Sequence, residues 1–166
     1  MTAHLVLVGM MGVGKTTVGR IVAARLGQQL VDSDAVIQAA TGRTVREIFE
    51  HDGEAAFRAL ERDALREALE CKEPSVIVAA GGVVLDPDNR AALRESNARV
   101  VWLVGNVPTL VDRVGRADHR PLLDGDPAAT LTRMADEREA LYREVADAIV
   151  SVEHRSATEV AVAVLR

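Results

Sequence analysis

Residues 9–16 read Gly-Met-Met-Gly-Val-Gly-Lys-Thr, and the reading of this octet decides the fold. It follows a short apolar run, 4–8, and opens a helical pattern from Thr16 to Leu26 that stops at Gly27. A G-x-x-x-x-G-K-[ST] stretch between a strand and a helix folds its backbone around phosphate. In a chain with this glycine, lysine and hydroxyl content the pattern arises by chance about once in a thousand sequences. Glycines at 9, 12 and 14 let successive N–H groups turn inward, and the following helix adds its positive end. Lys15 is one of only two lysines against 18 arginines. It is placed to reach the terminal phosphates, while the Thr16 hydroxyl can ligate Mg2+. The octet predicts a bound nucleoside triphosphate, and by itself does not separate a GTPase, an ATPase and a small-molecule kinase.

Outward from the octet, apolar strand-like runs alternate with helical stretches. Strands are predicted at 29–31, 75–79, 99–104 and 148–152, in addition to 4–8. Helices are predicted at about 35–40, 44–51, 54–70, 86–96, 108–115, 127–145 and 157–165. Continuous apolar strands separated by helices predict a five-stranded parallel sheet covered on both faces, one α/β doubly wound domain spanning 1–166 and carrying the phosphate loop, or P-loop, after its first strand. The stretch 116–127 contains Pro, Gly, Asp and His without periodicity, and is predicted as a loop of about a dozen residues able to act as a lid.

Composition excludes several function classes. The 166 residues are 48% hydrophobic and 27% charged, which rules out disorder, and no run approaches the length of a membrane span. Aromatics at 2% leave little for base stacking, and a net charge of −5 argues against a nucleic-acid partner. Cys71 is alone, and Met1 to Gly9 lacks the charged and apolar regions of a secretory signal, so a cytoplasmic monomer is expected.

Asp32 and Asp34 stand two apart at the end of the second predicted strand. In extended chain they project to the same side, at the sheet edge that holds the octet. Two carboxylates there call for a shared cation, which a nucleotide-bound Mg2+ supplies. Asp-Ser-Asp is also a helix-cap pattern, with Asp34 or Ser33 capping 35–40, and the residues alone leave both readings open.

Taken together, these residues resemble the shikimate kinase family. The resemblance is carried by the octet running into Thr17-Val18-Gly19-Arg20, by Asp32-Ser33-Asp34 and by 41–49, Thr-Gly-Arg-Thr-Val-Arg-Glu-Ile-Phe. It continues through Gly53-Glu54, 57–61 (Phe-Arg-Ala-Leu-Glu), Gly81-Gly82, Arg120-Pro121-Leu122-Leu123, and Arg138 before Leu141-Tyr142. The resemblance implies ATP-dependent phosphorylation of the 3-hydroxyl of shikimate in the making of aromatic amino acids. It implies that Asp34, Arg58, Gly81, Gly82 and Arg138 bind shikimate, with Asp34, Lys15 and Arg120 catalytic. Gly12, Val13, Gly14, Lys15, Thr16, Thr17 and Arg120 would bind ATP, with Arg113 and Arg155 flanking adenine and Thr16 and Asp32 holding Mg2+.

The residue chemistry fits: guanidinium forks match a carboxylate, and an aspartate can accept a hydroxyl proton. The competing reading of Arg58 is an i,i+4 surface pair with Glu54, and that of Arg138 a similar pair on the 127–145 helix. Two departures from the family pattern are Ala80 in place of a first glycine and the absence of a proline after Arg155. The alternatives are a gluconate or nucleoside monophosphate kinase, or a nucleotide-binding switch; the Asn-Lys-x-Asp stretch that would read guanine is absent.

The loop reading makes a direct prediction. Arg120→Ala is expected to lower kcat by about 10³ or more with a smaller effect on shikimate binding. Limited proteolysis within 116–127 is expected to slow when a nonhydrolysable ATP analogue and shikimate are both present.

Overall fold

In the computed structural model, residues 3–115 and 125–166 are described. Of the predicted lid, 116–127, residues 116–124 with Arg120 lie outside them. Five strands run β1 (Leu5–Val8), β2 (Gln29–Asp32), β3 (Ser75–Val78), β4 (Arg99–Val104) and β5 (Ala148–Ser151). Their order is β2-β3-β1-β4-β5, with every pairing parallel. The predicted five-stranded parallel sheet is the one observed.

Burial follows position in the sheet. β1 pairs with β3 through Leu5–Val76 and with β4 through Leu5–Arg99, so all four of its residues are buried and all four are apolar. The edge strands are wetter: β2 has no buried residue, and Ile149 on β5 is one of two large exposed hydrophobics among the described residues. Helix α1 (Lys15–Leu26) packs against α8 (Ala157–Val164) and lies so close to β3 that a Cβ on Gly19 would fall 2.7 Å from Val78 Cγ2. On the other side α5 (Pro87–Glu95), α6 (Val107–Val114) and α7 (Pro127–Val145) pack together, with α7 reaching β4.

The helices α2 (Ser33–Thr41), α3 (Val45–Asp52) and α4 (Glu54–Glu70) share a second, smaller core of Ile37, Ile48, Phe57 and Ala64. Within it the Phe49 and Phe57 rings stand 4.8 Å apart. This unit hangs beside the β2 edge and forms one bank of the cleft described below.

His4 pins the start of β1 to the start of β3. Its Nδ1 accepts the Ser75 N–H at 3.2 Å and its Nε2 faces the Cys71 carbonyl at 2.9 Å. A backbone donor on one nitrogen and a backbone acceptor on the other select the Nε2–H tautomer.

Three local expectations change. The helix α2 begins at Ser33, so Asp34 lies in its first turn and not in extended chain; the alternation argument therefore does not apply to the Asp32–Asp34 pair. The cap is Asp32, whose Oδ1 accepts the N–H of Asp34 at 3.1 Å and of Ala35 at 3.4 Å. Ala80 adopts no positive φ, so its methyl costs the turn nothing there.

Gly9 is held where no other residue fits. Its φ is +146°, and a Cβ would lie 2.4 Å from the Leu103 carbonyl oxygen of β4. Gly9→Ala is expected to lower the unfolding free energy by about 2 kcal/mol or more, read by chemical denaturation. An unchanged denaturation midpoint would mean that the loop and β4 are not in the contact described.

Candidate active site at the carboxyl edge of the sheet

The strand order reverses direction between β1 and β3, and in open parallel sheets that is where the carboxyl ends leave a crevice. The loop after β1 and the turn after β3 meet there: a Cβ on Gly81 would lie 3.5 Å from both the Gly9 carbonyl oxygen and the Met11 nitrogen. Gly12 and Gly14 take φ of +82° and +96°, the left-handed turns that aim the loop amides inward. The start of α1 is left open. Its N-cap, Gly14, offers no side-chain acceptor and its first turn carries no acid. Among the described α-helices no other lacks both; α2, α3, α5, α6, α7 and α8 are each capped by an Asp, Asn, Ser or Thr side chain, and α4 has Glu54 in its first turn. Uncapped amides at a dipole's positive end bind anions.

A cleft of about 260 Å3 opens beside this loop. Lys15, Thr16, Asp32, Asp34, Arg58, Gly81, Gly82 and Arg138 all line it, so most of the residues singled out in the sequence are brought together. Lys15 Nζ donates to the carbonyls of Gly9 at 2.7 Å and Met10 at 3.1 Å. The Thr16 hydroxyl donates to Asp32 Oδ2 at 2.7 Å. Asp32 thus serves as helix cap with one oxygen and as partner of Thr16 with the other, so the stretch does cap a helix, but through Asp32 and not through Ser33 or Asp34.

The two arginines approach from different helices. Arg58 on α4 pairs with Glu54 at 3.0 Å, as the surface reading expects, and also gives Nη1 to both oxygens of Glu61 at 2.7 Å. Its guanidinium lies over Gly82, where a Cβ would sit 1.9 Å from Nη1; any side chain there would expel Arg58. Burial pushes the Glu61 carboxyl up from its ordinary value, and the adjoining Arg58 pulls against that. Arg138 on α7 is only 3% exposed, which overturns the surface-pair reading of this residue. Its Nε is buried with no hydrogen-bond partner. The Tyr142 hydroxyl, one helical turn on, takes a hydrogen bond from Arg138 and donates to the Gly81 carbonyl. Burial pushes the Tyr142 phenol up to about 12, so it stays protonated and keeps that donation.

A second cavity of about 250 Å3 lies on the far side of the phosphate loop. Gly12, Val13, Gly14 and Thr17 form one wall, with Arg113 and Arg155 from α6 and from the turn before α8. Arg113 Nη1 donates to the Val13 carbonyl at 3.1 Å, and Arg155 Nη1 to the Ser151 carbonyl at 3.1 Å.

Glu61 and Tyr142 are the participants that sequence reasoning left without a role. The signal was helical spacing: Glu61 is three residues after Arg58 and Tyr142 four after Arg138, the separations that put side chains on one face. The apolar bank of the cleft, Val45, Phe49 and Phe57, stands in the stretches 41–49 and 57–61 that carry the resemblance, but none of the three was given a role.

A sequence model described as "Shikimate kinase" matches residues 11–166. The shikimate kinase of Streptomyces coelicolor is 44% identical, over 97% of this chain and 92% of that protein. The structure of the Acinetobacter baumannii shikimate kinase in complex with shikimate superposes with a TM-score of 0.95 at 37% identity, covering 99% of this chain and 92% of that one. A gluconokinase from Sinorhizobium meliloti, at 20% identity, TM-score 0.55 and coverage of 98% and 91%, shares the fold alone. With the phosphate loop, the aspartates and the buried arginine gathered at one sheet edge, the chain belongs to the shikimate kinase family.

Proposed function

We propose that this protein transfers the γ-phosphoryl group of ATP to the 3-hydroxyl of shikimate, giving shikimate 3-phosphate and ADP. The observation that carries the reading is Arg138, a buried guanidinium with an unpartnered Nε at a cleft that also holds Arg58. A buried cation with an unmet donor is costly, and an anionic ligand offsets that cost when it binds. A carboxylate fits, because two guanidinium forks can each give it paired N–H bonds. Glu61 holds Arg58 from behind and Tyr142 holds Arg138, so both forks are oriented before substrate arrives.

The substrate's ring then rests against Phe57 with a hydroxyl toward Asp34, which accepts the hydroxyl proton as the oxygen attacks the γ-phosphorus. The open amides of the loop and α1 hold the β- and γ-phosphates in line with that oxygen. Lys15 leaves the Gly9 and Met10 carbonyls for phosphate oxygens and offsets the charge developing there. The second cavity takes the nucleoside, between Arg113 and Arg155.

Mg2+ fits the donor set: a threonine hydroxyl and one carboxylate in contact with each other are hard oxygen ligands, with phosphates and water left to complete the shell. Thr16 and Asp32 would hold it. It would supply positive charge to the β- and γ-oxygens. No cluster of three or more His, Cys, Asp or Glu residues competes for it among the described residues.

Two sets of variants test this reading. Lys15→Met is expected to abolish transfer with the fold retained, Asp34→Asn to lower kcat by about 10² to 10⁴, and Asp32→Asn to raise the Mg2+ requirement at fixed ATP. Near-normal turnover in Lys15→Met would exclude phosphate binding at this loop.

For the arginines, Arg58→Ala or Arg138→Ala is expected to raise the shikimate KM about ten- to a hundredfold while the ATP KM moves little. Arg138→Met should show the same KM effect with thermal stability held or increased, since an apolar chain of similar length replaces an incompletely paired buried charge. A large stability loss with an unchanged shikimate KM would make Arg138 a structural residue only.

A further inference from the structure

One carboxylate ties the turn after β5 to the head of α6. Glu153 Oε1 accepts the Asn106 N–H at 2.7 Å, and Oε2 accepts the Thr109 hydroxyl at 3.0 Å. Asn106 is the N-cap of α6, and its side chain in turn accepts the Thr109 N–H at 2.9 Å. In α3 and α8 the cap residue's own N–H is satisfied by a glutamate three positions on, Glu47 and Glu159, which completes a reciprocal box. In α6 that third position is Thr109, too short to reach back, and the carboxylate comes instead from residue 153 on another element. The Asn106 amide beside it holds the Glu153 carboxyl below the usual carboxylate range, so it is charged at neutral pH.

The surroundings are shaped to this contact. A Cβ on Gly105 would lie 3.0 Å from Val152 Cγ2 and 3.4 Å from Glu153 Oε1, so an added side chain would press on the turn and on its carboxylate. The next residue, His154, has φ +56° and is the one non-glycine residue with positive φ among those described. That conformation is disfavoured and persists where neighbouring contacts fix it. It turns the chain so that Arg155 reaches back to Ser151.

Glu153 does not line the second cavity, but both elements it joins do. The helix α6 carries Arg113 and presses on the phosphate loop: a Cβ on Gly12 would fall 3.3 Å from the Leu110 carbonyl oxygen. The turn carries Arg155. We propose that Glu153 is a positioning residue for the nucleotide, a clamp that fixes the gap between Arg113 and Arg155 in which the base of ATP is held. This rests on the reading of the second cavity as the nucleoside site.

The test compares Glu153→Ala with Glu153→Gln, whose amide can accept from Asn106 and donate to Thr109, keeping both bonds. Glu153→Ala is expected to raise the ATP KM and the ADP dissociation constant about three- to tenfold, with the shikimate KM unmoved. Glu153→Gln is expected to return both nucleotide constants to near wild type. Thr109→Val removes one of the two bonds, and should give a smaller change in the same direction that does not add to that of Glu153→Ala. An unchanged ATP KM in Glu153→Ala, an equal rise in both KM values, or no rescue by Gln would overturn the clamp. Arg113→Ala and Arg155→Ala separate the two layers of the argument. If neither weakens ADP binding, the nucleoside-site reading itself fails. If they do and Glu153→Ala does not, the clamp alone fails.

Discussion

Arg138 is the only buried cation among the described residues, and the shape of the cleft follows from the cost of keeping it there. A guanidinium withdrawn from water needs acceptors for its donors and a compensating charge. Tyr142 supplies one acceptor, Glu61 supplies charge through the shared pair with Arg58, and Nε is left over. Each partner imposes a further demand. Tyr142 has to be buried against Trp102 to stand at the right height. Glu61, itself 2% exposed, is acceptable in the interior because Arg58 lies across it, and Arg58 lies there because residue 82 has no side chain. The chain of dependence runs from Arg138 through Glu61 and Arg58 to Gly82, and the unmet donor is where, in the proposed function, the substrate's carboxylate completes the set.

The opposite bank is organised by omission. The sequence caps helix after helix with a side chain, and at α1 it withholds both cap and first-turn acid. A positive helix end next to Lys15 is unfavourable in the empty domain, and in the proposed function the same local choice is the source of its affinity for phosphate. Gly9 marks how little room the arrangement has, since the loop crosses within contact of the β4 backbone.

Much of this was legible because it depends on local chemistry. The octet at 9–16, the bounds of α4 and α7, and the parallel sheet all follow from periodicity, glycine placement and continuous apolar runs. Asp32 shows where local reasoning divides: the Asp-Ser-Asp stretch was legible as a cap, but the cap falls on Asp32 and not on Ser33 or Asp34, and its second oxygen meets Thr16, a contact across 16 positions that no local pattern announces. Arg138 was less legible, because burial of a helix face depends on what packs against it and the sequence of α7 is polar on several sides. Nothing in the 153 region announced a tie to residue 106, since a bond spanning 47 positions has no local signature. Residues 116–124, most of the expected lid at 116–127 and with it Arg120, lie outside the described structure.

The molecule has one tryptophan and one tyrosine, and they are stacked on each other with ring centroids 5.7 Å apart and planes 22° apart. Trp102 is 4% exposed, and the guanidinium of Arg143 lies 5.4 Å from its ring centre. The tyrosine's hydroxyl touches the cleft through Gly81, so the indole stands one ring behind the anion-binding wall. Light absorbed by the phenol can pass to this single shielded indole, so an anion entering the cleft beside Gly81 is expected to register in the tryptophan emission. The unlabelled chain therefore contains its own optical gauge of whether the cleft is filled.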